Sequence, residues 1–103
     1  MEMPKVMECN AADCAYNNSH QCHALAINVS AGPHARCDTY WAASGKGGDL
    51  QILGQVGACQ ASECRYNYRL ECTASGGIKL GGGNGHGPEI DCLTFHAREP
   101  AMA

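Results

Sequence analysis

Apolar side chains alternate with small or polar ones at Leu25, Ile27 and Val29, with Ala24, Ala26 and Asn28 between them. The alternation returns at Ile78 and Leu80, where Lys79 takes the polar side. A period of two with β-branched residues predicts strands that turn one face to a core. Val6-Met7-Glu8-Cys9 reads as a further short strand running into a tight turn, because only Asn10 to Asp13 separate Cys9 from Cys14. Cys37-Asp38-Thr39-Tyr40-Trp41 and Cys92-Leu93-Thr94-Phe95 read as closing strands, each dropping an aromatic ring onto its unit. Between these segments stand Tyr16-Asn17 and Tyr66-Asn67. Asparagine there suits a turn or a positive-φ position, and the tyrosine ring suits packing beneath it.

The same elements occur twice. Cys9, Cys14 and Cys22 recur as Cys59, Cys64 and Cys72 at a shift of 50 positions, and Val6, Asp13, Tyr16, Asn17 and Ala24 meet Val56, Glu63, Tyr66, Asn67 and Ala74 at the same shift. The fourth cysteines, Cys37 and Cys92, follow the third after 14 and 19 intervening residues. With residues added in the second copy, Gly32, Pro33, Thr39 and Tyr40 meet Gly87, Pro88, Thr94 and Phe95, so the length difference falls in the glycine-rich loop 76–87. A solenoid or propeller needs three or more units, so two copies indicate a duplicated mini-domain. The expected organisation is a first four-cysteine module over 1–41, a connector over 42–55 and a second module over 56–98. Ser44-Gly45-Lys46-Gly47-Gly48 is linker-like, whereas Leu50, Ile52 and Leu53 suit a seam between the modules.

Each copy is only about 35 to 40 residues long, near the ~40-residue size below which a core alone seldom holds a fold. The eight cysteines, four per copy, are the natural staples. Four soft thiolates meet the full demand of a tetrahedral zinc ion, and the four-residue spacing of each leading pair lies at the wide end of the zinc-knuckle range. The expected fold is therefore small, metal-stabilised and mainly β: two zinc-ribbon-like modules, each with about three short antiparallel strands. The expected ligands are Cys9, Cys14, Cys22 and Cys37 for one zinc, and Cys59, Cys64, Cys72 and Cys92 for a second. Iron in a sulfur site and disulfides are the alternatives. No stretch reaches the ~18 apolar residues of a membrane helix, and Met1-Glu2-Met3-Pro4-Lys5 has no apolar signal core. The expectation is a cytoplasmic protein, where a reducing milieu favours metal over disulfides.

A formal net charge of −3, with Lys+Arg 7 scattered against Asp+Glu 10, argues against nucleic acid as a partner and leaves a protein partner open. Histidine also binds zinc, but His23 aligns with Thr73 and His96 with Trp41, so neither recurs as a duplicated ligand would. Surface placement, or support of a ligand from behind, is expected for both. Asp13 and Glu63 precede the second ligand of each set, yet four thiolates leave no open position for a reactive water. The chain is thus expected to have no catalytic residues. Its expected function is that of a small non-enzymatic zinc protein, an interaction module, with metal buffering or transfer, thiol-redox sensing and iron-based electron transfer as alternatives.

The first copy runs Cys9…Cys14-Ala15-Tyr16-Asn17…Cys22-His23-Ala24-Leu25-Ala26-Ile27…Cys37-Asp38-Thr39-Tyr40, and the second Cys59…Cys64-Arg65-Tyr66-Asn67…Cys72-Thr73-Ala74…Ile78…Cys92-Leu93-Thr94-Phe95. Both resemble the prokaryotic domain-of-unknown-function family numbered 1540. The resemblance covers most of the chain outside the termini and connector. It implies a four-cysteine metal-binding module and no known reaction.

Overall fold

The computed structural model describes residues 3–31, 34–82 and 89–98. Each repeat contributes five short strands: β1 (Val6–Cys9), β2 (Asn17–Asn18), β3 (Gln21–Cys22), β4 (Ile27–Ser30) and β5 (Arg36–Cys37), then β6 (Val56–Cys59), β7 (Asn67–Tyr68), β8 (Glu71–Cys72), β9 (Ile78–Gly81) and β10 (Asp91–Cys92). The described residues contain no helix. The protein is small and mainly β, all regular structure among the described residues is β, and the elements of one repeat recur in the other.

The pairing departs from the expectation of three antiparallel strands within each module. Six strands form one sheet in the order β1-β9-β10-β5-β4-β6, while β2-β3 and β7-β8 are separate hairpins. The first strand of each repeat has crossed to the other: β1 runs parallel to β9, and β6 runs parallel to β4. The physical reason is burial. A unit of this size has too little apolar surface to enclose itself, and exchanging the leading strands merges two small cores into one. Ile27, Ile78, Leu80, Val6 and Val56 are the largest fully buried side chains of that joint core. At the middle of the sheet Arg36 faces Asp91 across the β5–β10 pair, and His34 Nε2 lies 2.5 Å from Glu89 and 3.3 Å from Asp91. The two outer strands begin side by side, through the antiparallel bridge between Lys5 and Gln55 and the bonds Val6 N–H to Gly54 O and Val56 N–H to Pro4 O, both 2.8 Å.

Two sequence expectations shift in detail. Leu25 was expected on the core face with Ile27 and Val29, but it lies on a bend before β4 and is exposed, because the strand starts only at Ile27. The closing strands end at Cys37 and Cys92 rather than running on to the aromatics, since the chain turns immediately after each cysteine. Residues 83–88, most of the glycine-rich insertion, and residues 32–33 lie outside the described residues.

The sequence predicts only turns where the hairpins stand. Each reverses through two residues with positive φ, Ser19 (56°) and His20 (67°) in one, Arg69 (53°) and Leu70 (65°) in the other. Two consecutive positive φ values make a type I′ turn, whose twist matches the flanking strands. Asn17 and Asn67 thus do not occupy the left-handed positions themselves. A leucine does, at a cost of about 1–2 kcal/mol for its Cβ. Leu70 is exposed and its backbone N–H and C=O are both engaged, to Asn67 Oδ1 and from Cys59 N, so glycine would keep every bond. Leu70→Gly is expected to raise stability by about 0.5–1 kcal/mol after the added flexibility of the unfolded chain is subtracted. In urea this would appear as a higher midpoint at unchanged slope.

The connector 42–55 follows the first repeat closely. Ala43 N–H bonds Asp13 O, Gly47 N–H bonds Ala15 O, Asp49 N–H bonds His23 O and Gly54 N–H bonds Cys22 O. His23 is buried, with Nδ1 2.7 Å from Ile52 O. Of the three apolar connector residues, Leu50 is exposed and Ile52 and Leu53 are half-buried.

Candidate metal centre

A strand, a turn and a hairpin set each cysteine group. β1 delivers Cys9 at its end. The chain then turns tightly, with Cys14 N–H bonded to Ala11 O (3.0 Å) and Asn17 N–H to Cys14 O (3.0 Å), and enters the hairpin that carries Cys22. Asn17 locks turn and hairpin together: its buried amide donates to Cys9 O (2.8 Å) and its Oδ1 accepts from His20 N–H (3.2 Å). Cys37 returns on β5. The second repeat repeats these bonds, with Asn67 donating to Cys59 O (2.8 Å) and accepting from Leu70 N–H (3.1 Å).

The result is two small cavities, each about 10 Å³, room for about one water-sized particle. Cys9, Cys14, Cys22 and Cys37 line one, together with Tyr16, Tyr40 and Thr39. Cys59, Cys64, Cys72 and Cys92 line the other, with Tyr66, Phe95 and Thr94. All eight are free thiols. Among the described residues, no group of three or more His, Cys, Asp or Glu side chains is arranged so that it could hold a metal ion. The thiols share a cavity wall without being drawn together. The larger hollows lie elsewhere: one of about 530 Å³ is lined by Met3, Pro4, Lys5, Met7 and 73–77, and it brings together no cysteine or acidic group.

The surroundings of the sulfurs act in two directions. Burial pushes the Cys37 thiol up to about 12 and the Cys92 thiol up to about 11, and it raises Cys9, Cys22 and Cys72 as well, because an apolar wall disfavours thiolate. Backbone N–H groups oppose it: those of Thr39 and Tyr40 point at Cys37, those of Thr94 and Phe95 at Cys92, Ala11 at Cys9, Ala24 at Cys22 and Ala74 at Cys72. Donors fixed on a sulfur are of use when it carries charge. The neighbouring thiols push one another up within each set, Cys22 and Cys9 acting on Cys37, and Cys64 and Cys72 on Cys92.

Several supporting residues were not singled out from the sequence. Lys46, read as linker, places Nζ on Ala12 O (2.8 Å) and Cys14 O (3.1 Å), and Arg98 places its guanidinium on Ser62 O (3.3 Å) and Asn67 O. Each gives a cation to the carbonyls of a cysteine turn, and no spacing rule would have linked them, since they follow their repeats at different distances. Gly54 lies against the first set so closely that a Cβ there would come within 2.6 Å of Cys22 Sγ. Asp13 accepts a hydrogen bond from Tyr40 (2.7 Å), which pushes the phenol up to about 12. His23 and His96 reach backbone carbonyls, Ile52 O and Ala97 O, and line neither cavity.

No curated protein and no solved structure matches the chain. The model of the family described as Domain of Unknown Function (DUF1540) matches twice, over residues 7–45 and 58–95, each match carrying one complete cysteine set with its Tyr-Asn hairpin. The chain is a tandem repeat of this domain and belongs to the DUF1540 family.

Proposed function

We propose that each four-cysteine set holds one zinc ion in a closed, structural, all-thiolate site, and that the protein is a non-enzymatic module offering its surface to a protein partner. The observation that carries this reading is the meeting of four cysteines, carried on successive short elements, on one small cavity in each repeat. Loading would draw the four sulfurs inward around the cavity. A buried cluster of thiolates needs a positive charge among them, and a divalent ion supplies it while removing the burial penalty on each sulfur. The N–H groups aimed at Cys9, Cys22, Cys37, Cys72 and Cys92 would then bond the charged sulfurs.

Bound there, the ion supplies cross-links rather than a reactive water, because four thiolates fill its tetrahedral sphere and weaken it as a Lewis acid. Asp13, committed to Tyr40, has no such water to act on. Substitution by cobalt tests the reading. Intense thiolate-to-metal absorption with a tetrahedral visible envelope, saturating at two equivalents and indifferent to azide, is the expected result. A five-coordinate spectrum, or one that shifts with azide, would reveal an exchangeable position and overturn the closed-site assignment.

A further inference from the structure

Each cavity is walled in part by the other repeat. Leu80 and Ile90, from the second repeat, line the cavity of Cys9, Cys14, Cys22 and Cys37. Val29 and Ala35, from the first, line the cavity of Cys59, Cys64, Cys72 and Cys92. Register makes the sharing tighter. Leu80 on β9 is paired with Cys9 on one side and Cys92 on the other, one cysteine from each set. Val29 on β4 is paired with Cys37 on one side and Cys59 on the other, again one from each set.

The backbone repeats the pattern. Cys37 N–H donates to Ile90 O (2.7 Å), two residues before Cys92, and Cys92 N–H donates to Ala35 O (3.1 Å), two residues before Cys37. Asn10, beside Cys9, bonds Leu80 O (3.1 Å), and Gln60, beside Cys59, bonds Val29 O (2.7 Å). β4 and β9 are thus each a single strand with a cysteine of either centre paired in register along its two edges.

We propose that the two metal centres fill cooperatively, each ion raising the affinity of the other site, because the exchanged strands leave neither cavity complete until both repeats are folded. This rests on the zinc reading above. Filling one centre orders β1, β5 and the hairpin of its own repeat, and through the pairings of Leu80 and Val29 it also orders the strands holding Cys92 and Cys59. The second ion then meets a site whose ordering cost is already met, a coupling that by linkage must be equal in both directions.

The test is a titration of the metal-free, reduced wild-type chain with zinc ion alone, followed by native mass spectrometry. Independent sites would place half the molecules in the one-ion state at half saturation. The expected result is a one-ion population well below that, with the two-ion form growing directly from the metal-free form. A parallel pair of variants, Cys14→Ser and Cys64→Ser, breaks one centre each. Zinc affinity at the surviving centre, read by competition with a chromophoric chelator, is expected to fall by about ten-fold or more, and by a similar factor in both variants. A statistical one-ion population, with both variants binding one ion at wild-type affinity, would overturn cooperativity and leave the zinc reading standing. Failure of the wild type to take up any zinc would overturn the zinc reading itself.

Discussion

Stripping the metal with a strong chelator is expected to unfold both repeats together. Structural zinc contributes roughly 10–16 kcal/mol of apparent binding free energy in small finger peptides, and that energy is folding energy. The net stability of a whole domain is only about 5–15 kcal/mol. The joint core is built mainly from valine, isoleucine, leucine and alanine, and its strand-borne aliphatic residues lie on β1, β4, β6 and β9, each only four residues long, so little remains to hold the sheet once the cysteine sets are no longer tied. Loss of amide dispersion in the NMR spectrum on chelation, recovered on adding zinc, is the expected observation. The resonances of Val6, Ile27, Val56 and Ile78 should collapse at a common chelator concentration, because β1 and β6 have exchanged repeats. A metal-free chain that keeps its dispersion would show that the sheet stands on burial alone.

The largest effect of a single side chain outside the cysteines is expected at Asn17. Its amide closes two gaps at once, a buried carbonyl at Cys9 and the N–H of His20 in the type I′ turn. Leaving a buried polar group unpaired costs about 1–3 kcal/mol, so Asn17→Ala is expected to lose about 2–3 kcal/mol, and Asn67→Ala the same at Cys59 and Leu70. Asn17→Asp keeps the acceptor for His20 but loses the donor and sets a carboxylate against the Cys9 carbonyl, so it should not rescue. Thermal unfolding of the three variants against wild type measures this. An alanine variant as stable as the parent would mean that water replaces the amide at no cost.

The cysteine sets and the short strands at Val6, Ile27 and Ile78 were legible because spacing and period-two alternation are local signals. Partner choice is not local. Nothing in Val6-Met7-Glu8-Cys9 says that it will lie beside Ile78 rather than Ile27, because the two repeats offer nearly the same edge; the exchange is decided by the core that both must share. Leu25 fits the alternation as well as Ile27 does, and only the position of the bend sends it to solvent. The hairpins were hidden because their turn residues, Ser19-His20 and Arg69-Leu70, are poor type I′ formers held in place by an asparagine two or three positions earlier. Lys46 and Arg98 bind turn carbonyls 31 or more positions upstream, a distance at which sequence carries no pattern.

The most direct test of the central claim is the intact mass of the protein purified, without added metal, from its own host, measured first under native and then under denaturing conditions with elemental analysis of the same sample. Two zinc ions per chain are expected in the native spectrum, and after denaturation a mass with all eight thiols reduced. A native mass lacking metal, or a denatured mass short by two hydrogens for each of four disulfides, would contradict the claim.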